Sequence, residues 1–238
     1  MAEKFDPRSR LFVALDVASV ERARELVTTL GDGVACYKIG LELLFGGGIE
    51  FAQGLKAAGK TVFLDMKLLD IATTVEKATA NIARLGFDYL TVHGTDAQTL
   101  DAAVRGRAAS KLKLLAVTVL TSLEQPDLEQ QGIRAMSPED LVVHRATLAK
   151  IAGFDGVIAS GEEAASVRAA IGPGFLIVTP GIRPAGFAAG DQARVMTPAA
   201  AIRQGATHLV VGRPITAAAD PAVAAAAILA EIGAANPT

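Results

Sequence analysis

Eight short apolar runs, each followed by a stretch with helical spacing, divide this chain from residue 11 to residue 232. They begin at Leu11, Val34, Thr61, Tyr89, Leu112, Gly156, Phe175 and His208. Near-continuous runs of Val, Ile, Leu and Phe read as strands covered on both faces. Parallel strands need a crossover between them, and each interval here has room for one helix. Eight strand–helix units in 238 residues predict an α/β chain folded as a (β/α)8 TIM barrel, a single domain over 1–238. A doubly wound open sheet is the competing architecture, and no G-x-G-x-x-G follows the first strand to support it.

Local signals agree with this division. Ser19 caps a helix with its period running from Arg22 to Leu30, and Gly31 stops it. Ser137 followed by Pro138 opens a helix reaching Ala152. Further helices are predicted over Ile49–Ala58, Ala72–Leu85, Ala97–Ala109, Gly161–Ile171, Pro198–Gly205 and Pro221–Ile232. Gly46–Gly48 reads as a turn, since no strand directly precedes it and no Lys-Ser/Thr follows. Glu124–Ser137 reads as a polar loop. Pro180–Thr197, rich in Gly, Ala and Pro, reads as a long loop suited to closing over a site.

The strands are apolar until their last residues and then turn polar: Asp16, Lys38, Asp65, Lys67, His93, Thr121, Ser160, Thr179 and Arg213. Barrel active sites lie at those ends. Any one of these residues could be a hydrated strand end; together they describe a polar pocket over an apolar floor. The densest stretch is Thr61–Thr74, TVFLDMKLLDIATT. Side chains alternate along a strand, so Asp65 and Lys67 share one face, with Asp70 just past the strand end. Charges there are costly to bury unless paired. A structural ion pair would explain one such pair; repetition at other strand ends favours a site.

Lys38, Asp65, Lys67 and Asp70 form a series of alternating charge. An ammonium between carboxylates stays protonated, which makes Lys67 a poor nucleophile and a good proton donor. Such a site suits stabilising a developing anion and then protonating it. A carboxylate beside the reacting centre would repel an anionic substrate group. At 4 Å and an effective dielectric of 20, two like charges cost ~4 kcal/mol. Departure of that group as carbon dioxide would relieve the repulsion.

The far side of the pocket reads as a phosphate site. Arg183 lies in PGIRP after strand seven, and Gly212 and Arg213 lie in VVGRP after strand eight. Those two loops bind phosphate in many barrels. Arginine offers a planar fork to phosphate oxygens, and glycine lets a backbone N–H come close.

The net charge of −2 leaves no footprint for nucleic acid or an anionic membrane. No apolar run is long enough to span a bilayer, and the charged start MAEKFDPRSR lacks a signal core. The single cysteine, Cys36, forms no internal disulfide and reads as a packed thiol. A cytoplasmic protein is the expectation. His93 is expected to hydrogen-bond the charged network, with a metal role disfavoured by the lack of clustered partners. His144 and His208 read as structural.

Taken together, DMKLLDIATT, the aspartate of ALD, YKIG, VTVLTS, TPGIRP, GDQ and VVGRPIT resemble the orotidine 5'-monophosphate decarboxylases, in their bacterial form. The likeness runs from the first strand to the eighth. The Asp-x-Lys-x-x-Asp element alone is shared with related sugar-phosphate decarboxylases and synthases; the whole set is far more specific. The resemblance implies conversion of orotidine 5'-monophosphate to uridine 5'-monophosphate in pyrimidine synthesis, without metal or organic cofactor. It makes Lys67 the proton donor to a vinyl carbanion, with Asp65 against the substrate carboxylate. Lys38 would bridge the carboxylate network and the ribose, and Asp16 would hold a ribose hydroxyl. Thr121 would meet the pyrimidine edge, and Gln192 would bridge base and phosphate. Arg183, Gly212 and Arg213 would bind phosphate. Asp70, Ile71 and Thr74 would reach the partner's site in a homodimer.

Two alternatives remain. One is a metal-dependent sugar-phosphate decarboxylase or aldol synthase of the same superfamily, in which an acid is expected where strand two carries Lys38. The other is a phosphate-binding barrel without catalysis, disfavoured by the intact Asp65–Lys67–Asp70 set.

Overall fold

The computed structural model describes residues 6–184 and 196–235. Its eight strands are β1 (Leu11–Ala14), β2 (Cys36–Gly40), β3 (Thr61–Leu68), β4 (Tyr89–His93), β5 (Lys113–Val117), β6 (Gly156–Ile158), β7 (Leu176–Thr179) and β8 (His208–Val211). All pair in parallel with their sequence neighbours, and β1 pairs with β8 to close the barrel. The main helices are α1 (Val20–Leu30), α2 (Ile49–Ala57), α3 (Ala72–Arg84), α4 (Ala97–Arg107), α5 (Pro138–Ala152), α6 (Ala164–Ile171), α7 (Pro198–Arg203) and α8 (Pro221–Ala234). The expected (β/α)8 architecture is therefore present. None of the described helices is long and apolar enough to cross a membrane.

Period-two alternation divides the core into two compartments. Leu11, Val13, Val62, Leu64 and Leu90 face outward into the large cluster beneath the helices. Phe12, Ala14, Cys36, Phe63, Tyr89, Leu115, Val178 and Val210 face inward and fill the barrel. Near the strand starts, Phe12, Phe63 and Tyr89 meet edge to face at 5.1–6.2 Å between ring centroids. The interior is thus a packed plug, and the charged groups at the strand C-terminal ends lie above it. Cys36 belongs to this plug, and burial pushes its thiol up to about 11.

Helix starts follow the capping chemistry. Ser19 accepts from the Arg22 N–H and Ser137 from the Asp140 N–H, as expected, with Pro138 in the first turn of α5. Gly31 closes α1 at φ 52°, where a side chain would be strained. The expected loop Glu124–Ser137 instead begins with a short helix, Gln125–Gln130. Pro126 marks its first turn rather than a loop, and Glu124 and Asp127 form a reciprocal capping box. Gly46–Gly48 also lies within helical winding, Leu41–Gly48, and keeps its turn character at Gly46 and Gly47.

His208 stacks on Phe12 at 5.5 Å and lies 6.1 Å from Tyr89. Burial there, with Lys113 and Arg10 adding to it, pushes its pKa from 6.5 down to about 4. The native state therefore refuses a proton that the unfolded chain accepts. Stability should be flat above pH ~7 and fall between that and pH ~4, by up to about 3 kcal/mol. Urea unfolding across that range checks this: His208→Phe should remove most of the slope, and an unchanged slope would contradict the assignment.

Candidate active site

Three strands deliver the charged side chains. Lys38 pairs with Phe63 and Gly40 with Asp65 across the β2–β3 ladder, which sets Lys38 and Asp65 above the aromatic plug. Lys38 Nζ lies 2.8 Å from Asp16 Oδ1 and 3.3 Å from Asp65 Oδ2. Lys67 Nζ lies 2.8 Å from Asp65 Oδ1. The order along the site is therefore Asp16, Lys38, Asp65, Lys67, negative and positive in turn.

The electrostatics follow from burial. Lys38 is only 7% exposed, and loss of water alone would lower its pKa. Asp65 and Asp16 outweigh that loss and hold the ammonium above its usual range. Burial likewise opposes ionisation of Asp65, but Lys38 and Lys67 keep its carboxyl below the usual carboxylate range. This is a fixed array of charges, set before any ligand arrives.

Backbone shape makes room for it. A Cβ on Gly40 would lie 2.4 Å from Asp16 Oδ1 and 3.0 Å from Lys38 Nζ. Gly40→Ala should push the half-exposed Asp16 carboxylate off Lys38 and cost about 1 kcal/mol, since a charged hydrogen bond with a solvated partner is lost. Urea unfolding together with a crystal structure checks this; an intact 2.8 Å pair at unchanged stability would contradict it.

These residues line a cavity of about 490 Å³, within the usual range for small-molecule sites. Its wall includes Asp16, Lys38, Asp65, Lys67, Thr121, Arg183, Gly212 and Arg213. Phe63, Val117, Ile158 and Val210 supply apolar surface. Arg183 is 8% exposed; its Nη1 donates to the Ile182 carbonyl at 2.9 Å, and its backbone N–H to the Met196 carbonyl at 2.9 Å. Gln192 and most of the expected closing loop lie outside the described residues.

Several expectations need correction. Asp70 is not part of the charge series: it is exposed past the end of β3, and its carboxylate accepts the Ile71 N–H at 2.7 Å. Asp16 takes its place in the sequence of charges. Ile71, 73% exposed, and Thr74 were expected at a partner's site rather than here, and neither lines this cavity. His93 has a pKa lowered by burial, Lys67 and Arg145, but no hydrogen bond joins it to the network among the described residues. Ser160 is turned into the protein, where its hydroxyl bonds buried Glu163. The buried Thr179 hydroxyl has no partner among the described residues.

Simple alternation does not explain how Lys67 joins Asp65. Between the Leu64–Leu90 and Leu68–Val92 pairs, β3 holds two more residues than β4. Lys67 sits in this bulge at φ 49°. Thr91, fully buried on β4, is the residue that the strand-end reading passed over. Its Oγ1 accepts the Lys67 backbone N–H at 2.9 Å and donates to Asp65 Oδ1 at 2.9 Å. The signal for it was available: alternation along YLTVH puts Thr91 on the face of Tyr89, which points into the barrel.

Among the described residues no group of three or more His, Cys, Asp or Glu is arranged to hold a metal ion. The Lys38 ammonium stands between the two carboxylates that face each other across the site.

Comparison with known proteins places this geometry in context. The sequence profile of the family described as "Orotidine 5'-phosphate decarboxylase / HUMPS family" matches residues 9–228. The chain is 56% identical to an orotidine 5'-phosphate decarboxylase of Methylobacterium sp. (strain 4-46), over 98% of this chain and 99% of the relative. It is 53% identical to the enzyme of that name from Rhodopseudomonas palustris (strain BisA53), over 98% of each. A crystal structure of orotidine 5'-phosphate decarboxylase from Lactobacillus acidophilus superposes with a TM-score of 0.82 at 38% identity, covering 94% of this chain and 98% of that one.

Proposed function

The chain belongs to the orotidine 5'-phosphate decarboxylase / HUMPS family, and we propose on that premise that it converts orotidine 5'-monophosphate to uridine 5'-monophosphate and carbon dioxide, without a cofactor. The observation that carries this reading is the alternating array Asp16–Lys38–Asp65–Lys67 in the wall of a cavity that Arg183 and Arg213 also line.

The chemistry follows from the charges. Phosphate oxygens meet Arg183 and Arg213, with the Gly212 backbone beside them. A Cβ on Gly212 would meet Ala14 at an ordinary 3.6 Å, and its φ is −105°. Its ψ of −105° falls outside the regions open to residues with a Cβ, so glycine there lets the backbone turn sharply from β8 toward Arg213. Asp16 and Lys38 hold the ribose, Thr121 meets the pyrimidine, and Gln192 bridges base and phosphate. The substrate carboxylate then lies against Asp65. The bond from ring carbon to carboxylate breaks, and its electron pair stays on the ring carbon. The Lys67 ammonium stabilises that carbanion and passes its proton to it. Binding at the phosphate, remote from the reacting carbon, holds the carboxylate against Asp65.

We further propose a cytoplasmic homodimer. Asp70 and Thr74 are exposed and turned away from their own cavity, as groups serving a partner's site would be. Leu41, Phe45, Leu69 and Ile71, after β2 and β3, are 44%, 85%, 55% and 73% exposed, an unusual load of large apolar surface beside a site. Sedimentation equilibrium should give twice the 24.5 kDa chain mass.

The second reading, a metal-dependent sugar-phosphate decarboxylase or aldol synthase, fits less well because the Lys38 ammonium would repel a divalent cation from Asp16 and Asp65. One assay separates them. The protein is incubated with orotidine 5'-monophosphate and a chelator while the orotate absorbance is followed. Loss of absorbance is expected. No turnover would overturn the proposal, and turnover abolished by the chelator would favour the second reading.

A further inference from the structure

We propose that Thr91 is a positioning residue for the reaction: its hydroxyl clamps the β3 bulge and so sets the direction of the Lys67 ammonium and the Asp65 carboxylate. The inference rests on the decarboxylase reading for its kinetic consequence, but its geometry stands alone.

A regular β3–β4 ladder would carry hydrogen bonds between backbones throughout. Here the register breaks between Leu64 and Leu68, where β3 runs two residues longer than its neighbour. The Lys67 N–H within the bulge has no ladder partner on β4; it donates to Thr91 Oγ1 at 2.9 Å. The same oxygen donates its own hydrogen to Asp65 Oδ1 at 2.9 Å. One side chain therefore ties the main chain of the proton donor to the carboxylate that the donor faces.

The conformation being held is a costly one. Lys67 is one of two described non-glycine residues with positive φ, at 49°. A residue with a Cβ is strained in that region relative to the right-handed one. Such a conformation persists only where surrounding contacts determine it, and Thr91 supplies a contact from a fully buried position. Asp65 gains from the same bond, which favours its charged form. Without the hydroxyl, Lys67 would be free to relax toward negative φ, and its ammonium would leave the place that a carbanion requires.

Thr91→Val removes the hydroxyl at nearly constant volume, and Thr91→Ser keeps it. Thr91→Val should lower kcat about 10- to 100-fold with KM changed less than about threefold, the range expected when reacting groups are misplaced by about 1 Å. Thr91→Ser should restore most of that turnover. A residue important only for packing would lower the melting temperature and leave kcat intact below it. Wild-type turnover of orotidine 5'-monophosphate, run alongside, tests the function reading separately. If the wild type fails, the crystal structure of Thr91→Val still decides this proposal: Lys67 should leave its positive φ or part from Asp65. If Thr91→Val does not fold, Thr91→Ala measured against Thr91→Ser makes the same comparison. Wild-type kcat in the hydroxyl-free variant, or an unmoved Lys67 in its structure, would overturn the inference.

Discussion

Lys67→Ala should lower kcat by about 10³-fold or more, because on the proposed mechanism it removes both the charge that faces the developing carbanion and the proton that ends the reaction. General acid catalysis alone contributes about 10²–10⁴, and a single oxyanion-type contact about 10²–10³. KM should change much less, since the lost interaction belongs to the transition state. The fold should survive. Lys67 is a third exposed at 34%, and Asp65 keeps Lys38 as a partner, so the melting temperature should move only a few degrees. Single-turnover kinetics and thermal melts measure the two effects separately. Near-normal turnover would show that another group delivers the proton.

Asp65→Asn should be nearly as damaging to activity and far more damaging to stability. Asp65 stands between two ammoniums, so one substitution breaks two ion pairs. Lys38, only 7% exposed, would be left with the half-exposed Asp16 as its carboxylate. Removing one member of a buried pair costs about 3–5 kcal/mol, and the remaining Asp16 contact reduces this to about 2–3. For a chain of this size that is a fall of roughly 5–10 °C in melting temperature. kcat should drop about 10²-fold or more, because Lys67 loses the carboxylate that orients it. KM should stay level or fall, since the proposed repulsion between Asp65 and the substrate carboxylate would disappear. A raised KM with unchanged kcat would make Asp65 a mere binding residue and contradict the mechanism. The variant also tests the acid limb of stability. The folded-state pKa of Asp65 lies below that of the unfolded chain, so its contribution is present above pH ~4 and lost as pH falls through the depressed value. Asp65→Asn should lack that part of the acid transition.

Much of this was legible before any coordinates, because it depended on short-range periodicity. Apolar strands closed by polar residues are enough to place Asp65, Lys38 and Arg213 at one end of a barrel. Capping pairs such as Ser137–Pro138 fixed helix starts for the same local reason. What remained hidden depended on where backbone departs from its period. Alternation correctly grouped Asp65 with Lys67, but for an incomplete reason, since the β3 bulge and the positive φ of Lys67 make the meeting. A bulge leaves no mark in composition, and so nothing in the sequence sets Thr91 apart from other β-branched strand residues. Asp70 was drawn into the charge series by spacing alone; the strand ends at Leu68, and beyond that end period two no longer applies. Ser160 ends a strand yet turns away from the pocket, because its partner Glu163 lies on the following turn, beyond the reach of a strand-end pattern. Pro126 reads equally well as a loop breaker or a helix opener, and the neighbouring Glu124 and Asp127 decided between them.

The aromatic plug also governs traffic. Phe12, Phe63, Tyr89 and His208 stop the lower end of the barrel, so among the described residues the cavity opens at the strand C-terminal ends. On the proposed function, carbon dioxide formed above that plug would leave by the same mouth through which the nucleotide enters. If Arg183 and Arg213 hold the phosphate as proposed, carbon dioxide would slip out first and the nucleotide would follow once those arginines let go.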